Sequence, residues 1–134
     1  YAALICPYFP ACQGTLFPKL YLKDAFLSFL PIGLQYEFGI FSNEARVTIH
    51  MLHRYMALIL SCAILFNVHI HAHTVPRWIS AIPLSILCIQ LLLGVLNIVL
   101  LLPTSIAVLH NLTALCLLLS WIWYTQKQHQ YIKT

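Results

Sequence analysis

Val47-Thr48-Ile49-His50-Met51-Leu52-His53-Arg54 opens a run that stays almost wholly apolar to Ile70, and the reading of this stretch decides the fold. In a soluble helix, two histidines and an arginine are unremarkable. In a segment that spans a bilayer, each ionisable group is costly and needs a partner or a task. The composition selects the second case. The 134-residue chain is 61% hydrophobic and 7% charged, with a mean hydropathy of +0.86, whereas soluble domains carry roughly 25% charged residues. The net charge of +4 suits contact with the lipid bilayer at an anionic surface. With seven Lys and Arg and no run of them, a nucleic-acid footprint is excluded.

Working outward, residues 47–70 cover a hydrocarbon core of about 30 Å at helical rise. A second apolar span covers 78–102, with Pro83 in its first turn or at a kink, and a third covers 105–124. Residues 71–77 link the first two, 103–104 make a tight outer turn, and 125–134 form a polar tail. The expected fold class is all-α, a polytopic membrane helix bundle with an N-terminal extracytoplasmic loop over 1–46. That loop is punctuated by Pro7, Pro10, Pro18 and Pro31 and carries most of the charge. Within it, Asp24 to Leu30 reads as a short interfacial helix capped by Asp24. Ser42 or Asn43 caps the next helix, with Glu44 in its first turn. No internal repeat is visible. The chain opens on Tyr1 without the basic start and long apolar run of a signal peptide, and it reads as a piece of a longer protein.

Lys and Arg counts do not orient the spans. Trp78, Trp121, Trp123 and Tyr124 gather at the Arg77 end as an interfacial belt, and Cys6 and Cys12 sit at the other. A Cys-x5-Cys spacing can close a small disulfide ring, which persists in an oxidising compartment. The loop is therefore expected outside and the tail in the cytoplasm. The first and third spans then run parallel. His53 stands seven residues after Arg46 and His110 seven after Pro103, so both lie roughly 10 Å below the outer surface. Two imidazoles at one depth can ligate one metal, and haem is the natural choice. The alternative is two separate histidines, each bonded to a neighbouring helix.

Arg54 requires either an anionic partner, such as a haem propionate, or escape to the outer surface. His50 shares a face with His53 and can line the cofactor, shuttle a proton or sit at the interface. His69, His71 and His73 read as a polar helix end rather than a metal site. Gln90 and Asn97 read as interhelical hydrogen-bond partners, Gly94 as a close-packing point, and Cys62, Cys88 and Cys116 as packing residues. No Ser, His and carboxylate cluster points to nucleophilic catalysis.

Asn43-Glu44-Ala45-Arg46-Val47, Ile49-His50-x-x-His53-Arg54, Leu93-Gly94-Val95-Leu96-Asn97, Leu102-Pro103 and Ala107-Val108-Leu109-His110-Asn111 together resemble the C-terminal half of the haem A synthase family. Cys6-Pro7-x-Phe9-Pro10-x-Cys12-x-Gly14 is similar to that family's outer loop. The resemblance covers essentially the whole chain. It implies three transmembrane helices of a four-helix half-bundle, the fourth preceding Tyr1, in a multi-pass protein of the bacterial inner membrane. It also implies conversion of haem O to haem A, by oxidation of a ring methyl to a formyl group, for cytochrome c oxidase assembly. By the same resemblance His53 and His110 are the iron ligands of a haem b, and His50, Arg54 and Asn111 lie beside it. Cys6 and Cys12 form the loop disulfide. Haem O, haem O synthase, oxidase assembly factors and a second copy of the chain are the implied partners. His50 stands where the family's other half carries a glutamate, so no acid role transfers to it. The substrate half is absent, so this piece alone is expected not to turn over haem O. A non-catalytic b-type electron-transfer or haem-delivery protein is the alternative, and a structural or transport subunit a third.

Overall fold

The computed structural model describes residues 5–26 and 42–133, without the side chain of Asp24. These residues form four helices: α1 (Leu22–Phe26), α2 (Asn43–Ile70), α3 (Arg77–Val99) and α4 (Thr104–Lys133). The last three are long and apolar enough to cross a membrane. Their outer faces are lined by exposed apolar side chains such as Leu58, Phe66, Leu92 and Leu118, as contact with lipid requires.

Helix α2 begins where the local chemistry starts it. Ser42 adopts an extended conformation and its Oγ accepts the Ala45 N–H at 3.2 Å, with Glu44 in the first turn. One turn on, the buried Thr48 hydroxyl donates to the Glu44 carbonyl at 2.8 Å and accepts the Tyr21 N–H at 2.9 Å. That bond ties the residue preceding α1 to α2. Helix α1 therefore starts at Leu22, and Asp24 lies inside it rather than capping it. The expected continuation to Leu30 lies outside the described residues.

Two stripes of α2 are covered. Val47 and Met51 pack against Cys6 and Cys12, with Ile5, Leu20 and Tyr55 around them. The neighbouring stripe runs through His50, Ser61 and Ile64, all buried. Ile64 joins Leu87 of α3 and Leu117 of α4, and Val68 packs near Val75, Ile79 and Tyr124. The described cores that join α2 to the other helices thus sit in its C-terminal half. Helices α3 and α4 pack closely as an antiparallel pair, but among the described residues no Cα atoms of α2 and α4 come within 8 Å. The two helices stand apart at the level of His53 and His110.

The second span ends earlier than expected, at Val99, and a four-residue turn replaces the two-residue one. Leu101 and Leu102 have φ of 57° and 62°. The Leu102 N–H bonds the Asn97 carbonyl at 2.7 Å and the Leu101 N–H that of Ile98 at 3.2 Å. This is a Schellman closure with leucine where glycine is usual. Leucine in this region costs about 1–2 kcal/mol, and a β-branched residue fits it worse. Leu101→Gly is therefore expected to be at least as stable as the wild type, and Leu101→Ile less stable by about 1 kcal/mol, read as thermal midpoints in detergent.

The third span also exceeds its expected end, since α4 stays helical through Lys133. Its Gln- and Lys-rich end consists of good helix formers. Lys127 Nζ donates to Gln130 Oε1 at 3.2 Å, and Gln128 reaches His71 at 3.0 Å. The aromatic belt residues pack on one another here: Trp121 stacks on Tyr124 with centroids 5.2 Å apart, and Trp78 meets Trp123 at 6.2 Å. Tyr124 is fully buried.

Candidate functional site

The imidazoles of His53 on α2 and His110 on α4 face each other, with ring centroids 6.4 Å apart and planes at 69°. They do so where the two helices are separated, so the rings bridge a space that backbone packing leaves open. Metal–imidazole bonds are about 2 Å, which puts two imidazoles on opposite sides of one metal about 6 Å apart, centre to centre. The observed separation fits that arrangement. Among the described residues no group of three or more His, Cys, Asp or Glu is placed to hold a metal ion. A pair of donors suits a metal that brings its own equatorial ligands, as haem iron does.

His110 is held from α3. Its Nε2 lies 3.3 Å from the Gln90 amide nitrogen. A Cβ on Gly94, one turn along α3, would lie 3.3 Å from His110 Cε1 and 3.8 Å from Nδ1. Glycine is what lets the ring lie against the α3 backbone. His110 Nδ1 and Gln90 Oε1 are both buried without a partner. The Gln90 amide N–H donates to Nε2, and this contact together with the Gly94 bed holds the ring against α3. The sequence had marked Gln90 and Gly94 for interhelical contact; the structure aims both at His110.

The other sequence-derived candidates lie around this pair in different ways. His50 is buried, 8% exposed, one turn before His53. Asn111 is exposed on α4. His71 belongs to the opposite end. Its Nδ1 donates to the Asn67 carbonyl at 2.9 Å, which leaves Nε2 to accept the Gln128 amide. Its ring thus closes the end of α2 and ties it to α4. Cys62, Cys88 and Cys116 are exposed instead of packed, because their helix faces turn away from the bundle.

Arg54 has a partner that sequence reasoning missed. Its Nη1 donates to the carbonyls of Pro10 at 2.8 Å and Ala11 at 3.4 Å, and its Nη2 to those of Cys6 at 3.2 Å and Tyr8 at 3.3 Å. The guanidinium also lies 5.7 Å from the centre of the Phe9 ring. Cys6 and Cys12 are joined as a disulfide, both fully buried, with Cα atoms 4.9 Å apart. The fork is thus committed to the disulfide ring, leaving Nε, which is buried without a partner. A signal was present in the sequence. Pro7 and Pro10 remove N–H donors from the ring and leave carbonyls in excess, and arginine has five donors and no acceptor.

A family model described as Cytochrome oxidase assembly protein matches residues 1–122. The heme A synthase of Shewanella oneidensis is 37% identical over 123 residues, which cover 91% of this chain and 37% of that protein. The chain thus spans little more than a third of the length of this relative. No solved structure matches it.

Proposed function

Because the chain belongs to the cytochrome oxidase assembly protein family, we propose that it forms the haem-b-holding half of a membrane oxidoreductase that converts haem O to haem A. The observation that carries this reading is the His53–His110 pair, centroids 6.4 Å apart across the opening between α2 and α4. In this reading His53 and His110 would hold the haem iron, Gln90 and Gly94 orient His110, and His50 and Asn111 would border the cofactor. Bound there, a haem b supplies one-electron redox chemistry. The chain's residues do the holding. The imidazoles set the level of the site along the bundle, and the disulfide-closed loop anchors α2 beside them through Arg54 and Tyr55.

The reading places the loop on the periplasmic side of a bacterial inner membrane and the end of α4 in the cytoplasm. The haem O site and its methyl oxidation belong to the remainder of the full-length protein. Haem O synthase and oxidase assembly factors are its partners, and a second copy of the chain is compatible with its exposed apolar faces.

One observation favours a second reading. His53 and His110 stand as a pair, and a haem held by both would supply electron transfer without binding a reacting group, which also suits a non-catalytic b-type electron carrier or haem-delivery protein. Haem extraction separates the two. The full-length protein is produced in a host that makes haem O and has no haem A synthase of its own. Haem A in the extract is the expected result. A b-type spectrum with haem O alone would establish the second reading, and no b-type spectrum would overturn both.

A further inference from the structure

Three consecutive residues of α2 point to three different partners. His53 faces His110, Arg54 binds the disulfide ring, and the Tyr55 hydroxyl donates to the Leu16 carbonyl at 3.1 Å while its ring stacks on Phe17 at 6.1 Å. The segment from Cys6 to Phe17 is therefore bolted to α2 at the two residues that follow His53 in sequence. The disulfide is part of the fastening. By closing the ring it holds the carbonyls of Cys6, Tyr8, Pro10 and Ala11 in one arc, and the planar guanidinium reaches all four. Lysine could not, since its three donors radiate from one nitrogen. Both sulfurs lie fully buried against Val47 and Met51, beneath the segment that Arg54 holds down.

We propose that Arg54 is a positioning residue: its clasp on the Cys6–Cys12 ring fixes the rotation of α2 that presents His53 to His110, and it also shields the disulfide from reduction. The first half rests on the haem reading above; the second does not. A free guanidinium at this depth would turn toward the nearest water and tend to rotate the helix with it. Four carbonyl acceptors on an anchored ring remove that tendency and hold His53 a single residue away. The disulfide acts through the same contact. Reduced, the ring could no longer present its carbonyls as one set.

The test uses the full-length protein in membranes, as wild type, Arg54→Gln and Arg54→Lys. One readout is the rate at which Cys6 and Cys12 become maleimide-reactive in a water-soluble phosphine reductant, scored by peptide mass. The other is the low-spin haem b signal in optical and electron-paramagnetic-resonance spectra. Arg54→Gln is expected to speed thiol exposure at least tenfold and to shift the low-spin signal. Arg54→Lys is expected to show both effects at about a third of that size or more, and it decides the matter if the glutamine variant does not accumulate. Thiol exposure within twofold of wild type overturns the clasp, and an unshifted haem signal beside fast exposure overturns the positioning role. A wild-type protein without b-type haem overturns the haem reading, and thiol exposure then judges the clasp alone.

Discussion

His53→Ala and His110→Ala each remove the low-spin b-type signal from the full-length protein, with at least a tenfold loss of this haem and no loss of protein from the membrane. The two rings contribute as a pair. Their centroids are 6.4 Å apart on helices that do not otherwise touch at that level, so the site depends on both. The three described cores centre on the disulfide ring, on Leu87 and on Tyr124, and neither histidine belongs to them. Truncating either should therefore leave the fold standing while emptying the site. The measurement is a reduced-minus-oxidised spectrum with extracted haem quantified against protein. Wild-type b-type haem in either variant would show that the rings are structural neighbours and not ligands.

Gly94→Leu is expected to have nearly as large an effect, from a residue with no donor atom of its own. A Cβ there already stands 3.3 Å from His110 Cε1, so alanine displaces the ring by a few tenths of an ångström. The further carbons of leucine have no room without expelling the ring from its bed on α3 and breaking its contact with Gln90. Overpacking of this kind costs about 1–3 kcal/mol, and here the displaced group is the proposed ligand. The low-spin signal should fall at least tenfold in Gly94→Leu and persist, with a shifted spectrum, in Gly94→Ala. The graded pair separates displacement of His110 from general damage. A wild-type spectrum in Gly94→Leu would mean that the ring does not rest on α3 when the cofactor is bound.

Much of this was legible because it is local and additive. Hydropathy summed along the chain marks three spans, and helical rise counted from the outer ends puts His53 and His110 at one depth; the structure brings their rings together edge to face, with centroids 6.4 Å apart. Ser42, Glu44 and Pro103 announce their helix boundaries through capping and missing donors. The cysteine spacing allowed the disulfide ring.

What the tertiary structure alone decided is which way each helix faces and what meets it from far along the chain. Arg54 binds a carbonyl 44 residues away, and His71 an amide 57 residues away. No count along the helix finds those partners, because they exist only once the loop and the end of α4 have folded back. Helix rotation was hidden for a related reason. In lipid, an apolar side chain is equally at home against a neighbouring helix or the hydrocarbon, so composition does not separate inner from outer faces. Cys62, Cys88 and Cys116 are on the outside for that reason, although their chemistry suits the inside. The sequence by itself determined that the paired histidines stand level with each other, since level follows from rise and hydropathy. Which faces the helices turn to one another was decided by tertiary contacts such as those of Gln90 and Gly94 with His110, because only packing can choose among rotations that lipid leaves equal.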